Sequence, residues 1–249
     1  MWDDPADLSY HSVEDARRGG VYQTHPSAAL NSLFRDRPFQ GASPDLAQFV
    51  FIGLDANYAP ALEQSSIYDS VLEYHRDGVS FWRRHGFHHP FLSPMYRGDG
   101  RRYHQNFARL GFQCGDAANV SFVELLHVPT VGRNKLEVTD FSVDHLGWID
   151  SLISAGKPQH FFLSASVMRL MLASRRFAWL TSQSRSSEIL PVLYSRGATK
   201  VHLHLHLSNY GKFQAQMDQE AAAISWLART ASNDLTLGFF RLGSGSAAC

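Results

Sequence analysis

Four consecutive apolar residues, Phe49-Val50-Phe51-Ile52, end abruptly in the polar turn Gly53-Leu54-Asp55-Ala56-Asn57-Tyr58. A short, unbroken run of aromatic and β-branched residues fits a strand buried on both faces, as inner strands of a helix-covered parallel sheet are. Three further strand-like runs, 119–126, 159–163 and 201–207, are separated by segments of helical periodicity. The helices are expected at 63–85 with a break near Gly78, 101–110 ending at Gly111, 142–155, 164–173 and 213–230. Ser142 reads as a helix N-cap, with Gly156 just past that helix and Pro158 beyond. Strands that alternate with helices predict an α/β protein, a three-layer α/β/α sandwich around a central, mostly parallel four-stranded sheet. No linker-like stretch divides the 249 residues, so a single domain over 1–249 is expected. Residues 1–45 read as an irregular N-terminal arm with one short helix near 27–33, and 243–249 as a flexible tail.

In an open α/β sheet, side chains at the carboxyl ends of different strands converge on one crevice. Asp55 follows the first strand, and His206 stands at the end of the last, in His206-Leu207-Ser208-Asn209-Tyr210-Gly211. An acid and a histidine from separate strand ends suit acid/base work on a bound ring. Taken alone, Asp55 is as readily a turn former. His202, His204 and His206 alternate along one strand and project to one face, a spacing that also occurs in metal sites. A metal-dependent hydrolase built on these histidines, with His88 and His89 to complete it, is therefore an alternative. The favoured reading has His202 and His204 packed under helices and only His206 reaching the crevice, with no metal and no cofactor.

Composition narrows the partners. Hydrophobic residues make up 44% of the chain, and two cysteines, Cys114 and Cys249, are too few for a four-thiolate cluster. The 23 basic and 23 acidic residues balance, so a nucleic acid would be held by local patches and not by an overall field. Two such patches exist. One contains Arg83, Arg84, Arg97, Arg101 and Arg102; the other runs over 165–200 with Arg169, Arg175, Arg176, Arg185, Arg196 and Lys200 against Glu188. Each reads equally as a solvated basic face. An acidic start and the lack of an apolar span predict a cytoplasmic protein that does not contact membranes.

The two punctuating segments resemble motifs A and B of the uracil-DNA glycosylase superfamily, which in familiar members read Gly-Gln-Asp-Pro-Tyr-His and His-Pro-Ser-Pro-Leu-Ser. Between them, the run from Phe122 through Val123-Glu124-Leu125-Leu126 to Pro129-Thr130-Val131 is similar to the strand and Pro-Thr-Val loop of the mismatch-specific branch. Gly86-Phe87-His88-His89-Pro90 resembles that branch's Gly-Phe-x-Phe-Ala-His-Pro segment. The resemblance spans about residues 48 to 215 and implies a divergent bacterial member without an iron–sulfur cluster.

It implies roles as well. Asp55 would orient a water and stabilise the oxocarbenium-like sugar, and neutral His206 would donate to uracil O2. Gly53, Leu54, Asn57, Tyr58, Phe87 and Glu124 would bind the base, with Phe87 stacking on it. Ser208, Asn209, Tyr210, Gly211 and Lys212 would face DNA, Ser208 at phosphate and Tyr210 as the wedge that fills the gap left by the flipped nucleotide. Two departures stand out. Glu124 occupies the position of a uracil-reading asparagine, and a carboxylate there accepts from N3–H without donating to O4. Asn57 occupies the position of a thymine-excluding tyrosine, with Tyr58 beside it. The implied activity is hydrolysis of the N-glycosidic bond of uracil in single- and double-stranded DNA by a monomeric, nucleoid-associated repair enzyme that leaves an abasic site. A catalytically inactive DNA-binding relative is the other alternative.

Overall fold

The computed structural model describes residues 22–132, 135–157, 159–180 and 188–239, with side chains to residue 230. Its main sheet has six strands. β3 (Phe49–Gly53), β5 (Val120–Glu124), β7 (His160–Ser164) and β9 (Thr199–His204) form its parallel centre. Two antiparallel strands flank them, β2 (Phe39–Gly41) beside β5 and β8 (Val192–Arg196) beside β9, for the order β2-β5-β3-β7-β9-β8. The four strands read from sequence are thus the inner four, and the sheet is wider than expected by one strand on each side. β2 is three residues long and β8 is largely solvent-facing, so neither carries the continuous apolar run that marks an inner strand.

The segment expected as an irregular arm is ordered where described. Tyr22 begins it, β1 (Gln23–Thr24) follows, and Ser27 caps α1 (Ala28–Asp36) by accepting the Leu30 N–H, with β2 after it. β1 joins β6 (Thr130–Val131) and β4 (Asn57–Tyr58) in a small second sheet. The tail at 243–249 lies outside the described residues.

Strand residues alternate between two faces. Val50, Ile52, Val123, Phe161, Leu163 and Val201 pack against α5 (Val143–Ser154) and α6 (Ala165–Ser174) through Leu146, Ile149, Ile153, Val167 and Met171. Phe49, Phe51, Phe122 and Phe162 pack on the other face against α3 (Gly78–His85), α4 (Arg101–Ala108) and α7 (Gln214–Phe239) through Trp82, Phe107, Leu110 and Ile224. Helices therefore cover both faces, in three layers. The break expected near Gly78 separates α2 (Tyr68–Arg76) from α3, and it has two causes. Asp77 caps α3 by accepting the Ser80 N–H, and a Cβ on Gly78 would stand 2.7 Å from the Gly41 amide nitrogen, so only glycine lets α3 start against β2. Ser142 and Gly156 cap and follow α5 as expected. Among the described residues no helix is long and apolar enough to cross a membrane.

Candidate active site

A cavity of about 320 Å³ opens at the carboxyl ends of β3, β5 and β9, within the size range of about 300–1,000 Å³ usual for small-molecule sites. Asp55 and His206, some 150 residues apart in sequence, both line it, together with Gly53, Leu54, Asn57, Tyr58, Glu124 and Ser208.

Asp55 is held from the small sheet. Parallel pairing of β4 with β6 sets Asn57 opposite Thr130, just beyond the Asp55 turn. The Thr130 hydroxyl donates to Asp55 Oδ2. The Asn57 amide nitrogen reaches Thr130 Oγ1 at 3.0 Å, the Gly132 carbonyl at 2.6 Å and Asp55 Oδ2 at 3.4 Å. Asn57 therefore spends its donors on the loop that carries Thr130 and steadies the aspartate. Thr130 itself lies in the Pro-Thr-Val segment; its position in sequence gives no sign that the fold returns it to Asp55.

His206 is prepared from its own loop. The Ser208 N–H donates to His206 Nδ1 at 3.2 Å, which leaves the ring proton on Nε2. Burial lowers the pKa of the imidazole, against the opposing pull of Asp55, so the neutral form prevails at neutral pH. The loop is pinned by Asn106 of α4, whose amide nitrogen donates to the carbonyls of Leu207 at 2.6 Å and Asn209 at 3.2 Å. The Tyr103 ring packs 5.6 Å from that of His206.

The rest of the wall is aromatic. Tyr58 is buried, and its hydroxyl lies 2.6 Å from Nε2 of His75, whose pKa burial lowers to about 3. Phe91, Tyr103 and Phe122 line the cavity with His89 and His104, whose rings stack with centroids 3.6 Å apart. His88 Nε2 lies 3.1 Å from His104 Nδ1. Burial holds His88, His89 and His104 well below the ordinary histidine pKa, His104 at about 3. This aromatic and histidine part of the wall therefore offers polar ring edges but no charge.

Phe87 departs from expectation. It packs against Phe81 and His85, with centroids 5.7 and 5.8 Å away, and does not line the cavity, because the αL residue Gly86 turns the chain out of α3 before it. The aromatic surface comes from Phe91 and Tyr103 instead. These sit on a 3₁₀ turn, Pro90–Leu92, and on α4, and neither residue is among those the sequence assigns to the base.

At the mouth, Ser208 lines the cavity and the chain continues through Asn209 into exposed Tyr210, 66% accessible, with the Arg102 guanidinium 4.2 Å above its ring. Gly211 adopts φ +64° and opens a short turn in which the Lys212 ammonium lies 5.1 Å from the Phe213 ring. Of the first basic patch, Arg84 is paired with Glu73, while Arg101 and Arg102 open α4 beside the cavity. Arg185 of the second patch lies outside the described residues.

The histidine row divides. His202 Nε2 meets His160 Nδ1 at 3.0 Å, His204 is buried edge-on to Phe51 and Phe162, and β9 ends before His206, which turns into the cavity. Among the described residues no group of three His, Cys, Asp or Glu side chains is placed to hold a metal ion. No protein-family model matches the chain, and no curated protein matches it.

Proposed function

We propose that this chain is a monofunctional DNA glycosylase that binds an extruded uracil in the strand-end cavity and hydrolyses its bond to deoxyribose. The observation that carries the reading is His206: a neutral imidazole whose Nδ1 is occupied by the Ser208 N–H, sharing one cavity with the Asp55 carboxylate. As the N-glycosidic bond breaks, negative charge builds on the leaving base and positive charge on the sugar. A preorganised Nε2–H donor answers the first and a carboxylate the second. Removing one such donor costs about 10²–10³ in rate. Asp55, braced by Thr130 and Asn57, also suits the task of aligning a water on the sugar.

The aromatic wall and the uncharged histidine stack suit a flat, neutral ring. Tyr210 under Arg102, with Lys212 and Arg101 nearby, gives the mouth an aromatic tip among cations, which suits a strand whose base has been turned out. These features agree with the resemblance to uracil-DNA glycosylases. The DNA substrate, the monomeric state and the place in base-excision repair belong to the same proposal. Extrusion costs least for unpaired or mispaired bases, so single-stranded and U:G substrates should be preferred.

The test is release of labelled uracil from single-stranded and U:G oligonucleotides with a chelator present. Free uracil and an intact abasic strand are expected, with release lowered about 10²–10³-fold in Asp55→Ala and in His206→Ala. Salt-sensitive DNA binding without release would make the protein an inactive relative, and loss of release with chelator would favour a metal-dependent reaction.

A further inference from the structure

Val120, Phe122 and Glu124 face the aromatic layer of the sheet, and the last of them reaches the cavity wall. There the parallel register sets Glu124 opposite Gly53. A Cβ built on Gly53 would stand 2.0 Å from Glu124 Oε2, so a glycine at the end of β3 makes the space in which this carboxyl group lies. Asp55 and Glu124 share the cavity but not its donors. Thr130 and Asn57 serve Asp55, whereas no hydrogen bond to the Glu124 carboxyl group is found among the described residues.

Among the described residues no lysine or arginine lines the cavity to offset a second negative charge. The ionisable groups around Glu124 are Asp55 after β3, Tyr58 on β4, Tyr74 on α2 and Tyr103 on α4, with His89, His104 and His206 elsewhere on the wall and His145 of α5 at its main-chain carbonyl, 2.8 Å from Nε2. Burial keeps the tyrosines protonated and the histidines uncharged, so none of them supplies a cation at neutral pH.

We propose that Glu124 binds the base as a neutral carboxylic acid, its carbonyl oxygen accepting a ring N–H and its hydroxyl donating to the adjacent ring carbonyl. This rests on the glycosylase reading and names the chemistry its substrate must show: an imide or lactam edge, N–H beside C=O, as at N3 and O4 of uracil. A carboxylate would turn two acceptors to that edge and repel the carbonyl, whereas the acid presents the donor and acceptor of an amide. Burial, and secondarily the Asp55 charge, hold the Glu124 pKa well above the ordinary carboxyl range. The departure from a uracil-reading asparagine is thereby reconciled with uracil binding.

The experiment compares wild type, Glu124→Gln and Glu124→Ala in two readouts. Infrared difference spectra at neutral pH, taken with and without an oligonucleotide carrying one hydrolysis-resistant 2′-fluorodeoxyuridine, should show a protonated-carboxyl carbonyl band. That band should shift on binding and be missing from both variants. In uracil release, wild type should lose activity on the alkaline side as Glu124 gives up its proton. Glu124→Ala should fall about tenfold to a hundredfold at neutral pH. Glu124→Gln, donor and acceptor at every pH, should recover much of that loss and lack the Glu124 alkaline limb. A carboxylate signature in wild type, a carbonyl band indifferent to the oligonucleotide, or an alkaline limb identical in wild type and Glu124→Gln overturns the proposal. A shifted band without uracil release from wild type would instead leave Glu124 as a base-binding acid and overturn the glycosylase reading.

Discussion

The two faces of the sheet are built from different material. Against α5 and α6 the contacts are mainly aliphatic: Val50, Ile52, Leu163 and Val201 meet Leu146, Ile149 and Val167. Against α3, α4 and α7 they are aromatic, with the Phe51 ring 4.7 Å from Phe162 and 5.7 Å from Phe122, and with histidines set among them. An aliphatic face excludes water and asks for nothing else. An aromatic and histidine face can be equally buried and still present polar edges at its border, and its border is where the cavity opens. The contrast separates a face that holds the fold together from one that also holds the site.

Breaking the aliphatic face should have the largest effect on stability. Leu163→Ala removes a fully buried side chain and is expected to cost about 2–5 kcal/mol in denaturant unfolding, while uracil release per folded molecule persists. If release collapses while stability holds, the division of labour between the faces is wrong. Thr130→Val, at the site border, should do the opposite. Losing the hydroxyl that braces Asp55 is expected to lower the rate of release about tenfold, equivalent to roughly 1–1.5 kcal/mol, with little change in unfolding. An unchanged rate would remove Thr130 from the account.

Acid should act mostly through the aromatic face, where the buried histidines are most numerous, with His145 of α5, lowered to about 4, adding to it from the other face. Burial lowers His160, His202 and His204 from 6.5 to about 4 and His104 to about 3. Between these values the unfolded chain binds more protons than the folded one, so stability falls as pH drops. The histidine contribution to the denaturation midpoint should be level above pH 6.5 and decline from there toward pH 4, while protonated Glu124, which the unfolded chain ionises, adds an opposing loss of stability as pH rises. Replacing the His160–His202 pair by Gln residues should make that decline shallower; an identical slope would mean that these groups do not carry it. Least of all should follow from cutting the exposed pair of Lys157 and Asp45, whose side chains are 48% and 56% accessible. Lys157→Ala should change stability by less than about 1 kcal/mol, and a larger effect would show the rim to be more than solvated surface.

The inner strands were legible because burial on both faces leaves an unbroken apolar run, as at Phe49–Gly53 and His160–Ser164. The flanking strands were not. Phe39-Gln40-Gly41 is too short to show a period, and β8 alternates weakly because much of it meets solvent. At the site, Asp55 and His206 stood out because each ends a strand, where topology rather than sequence distance brings groups together. Phe91, Tyr103 and His104 did not, since a helix start and a 3₁₀ turn deliver them from segments with no strand-end signature. Phe87 differs for the converse reason: the resemblance implies a place on the base, whereas after the turn at Gly86 it packs against Phe81 and does not line the cavity. Glu124 could be located from sequence, but its form could not. That depends on which donors and cations surround it in three dimensions, and Gly53 and Asp55 are its neighbours only through the β3–β5 register.

The most direct test of the central claim is a double-mutant cycle on the single-turnover rate of uracil release from a single-stranded oligonucleotide, using Asp55→Asn, His206→Gln and the pair. If the two groups act on opposite sides of one breaking bond, each change lowers the rate by about 10²-fold or more and the pair loses less than the product of the two, with thermal unfolding unchanged. Rates within a few fold of wild type in both single variants would contradict the account.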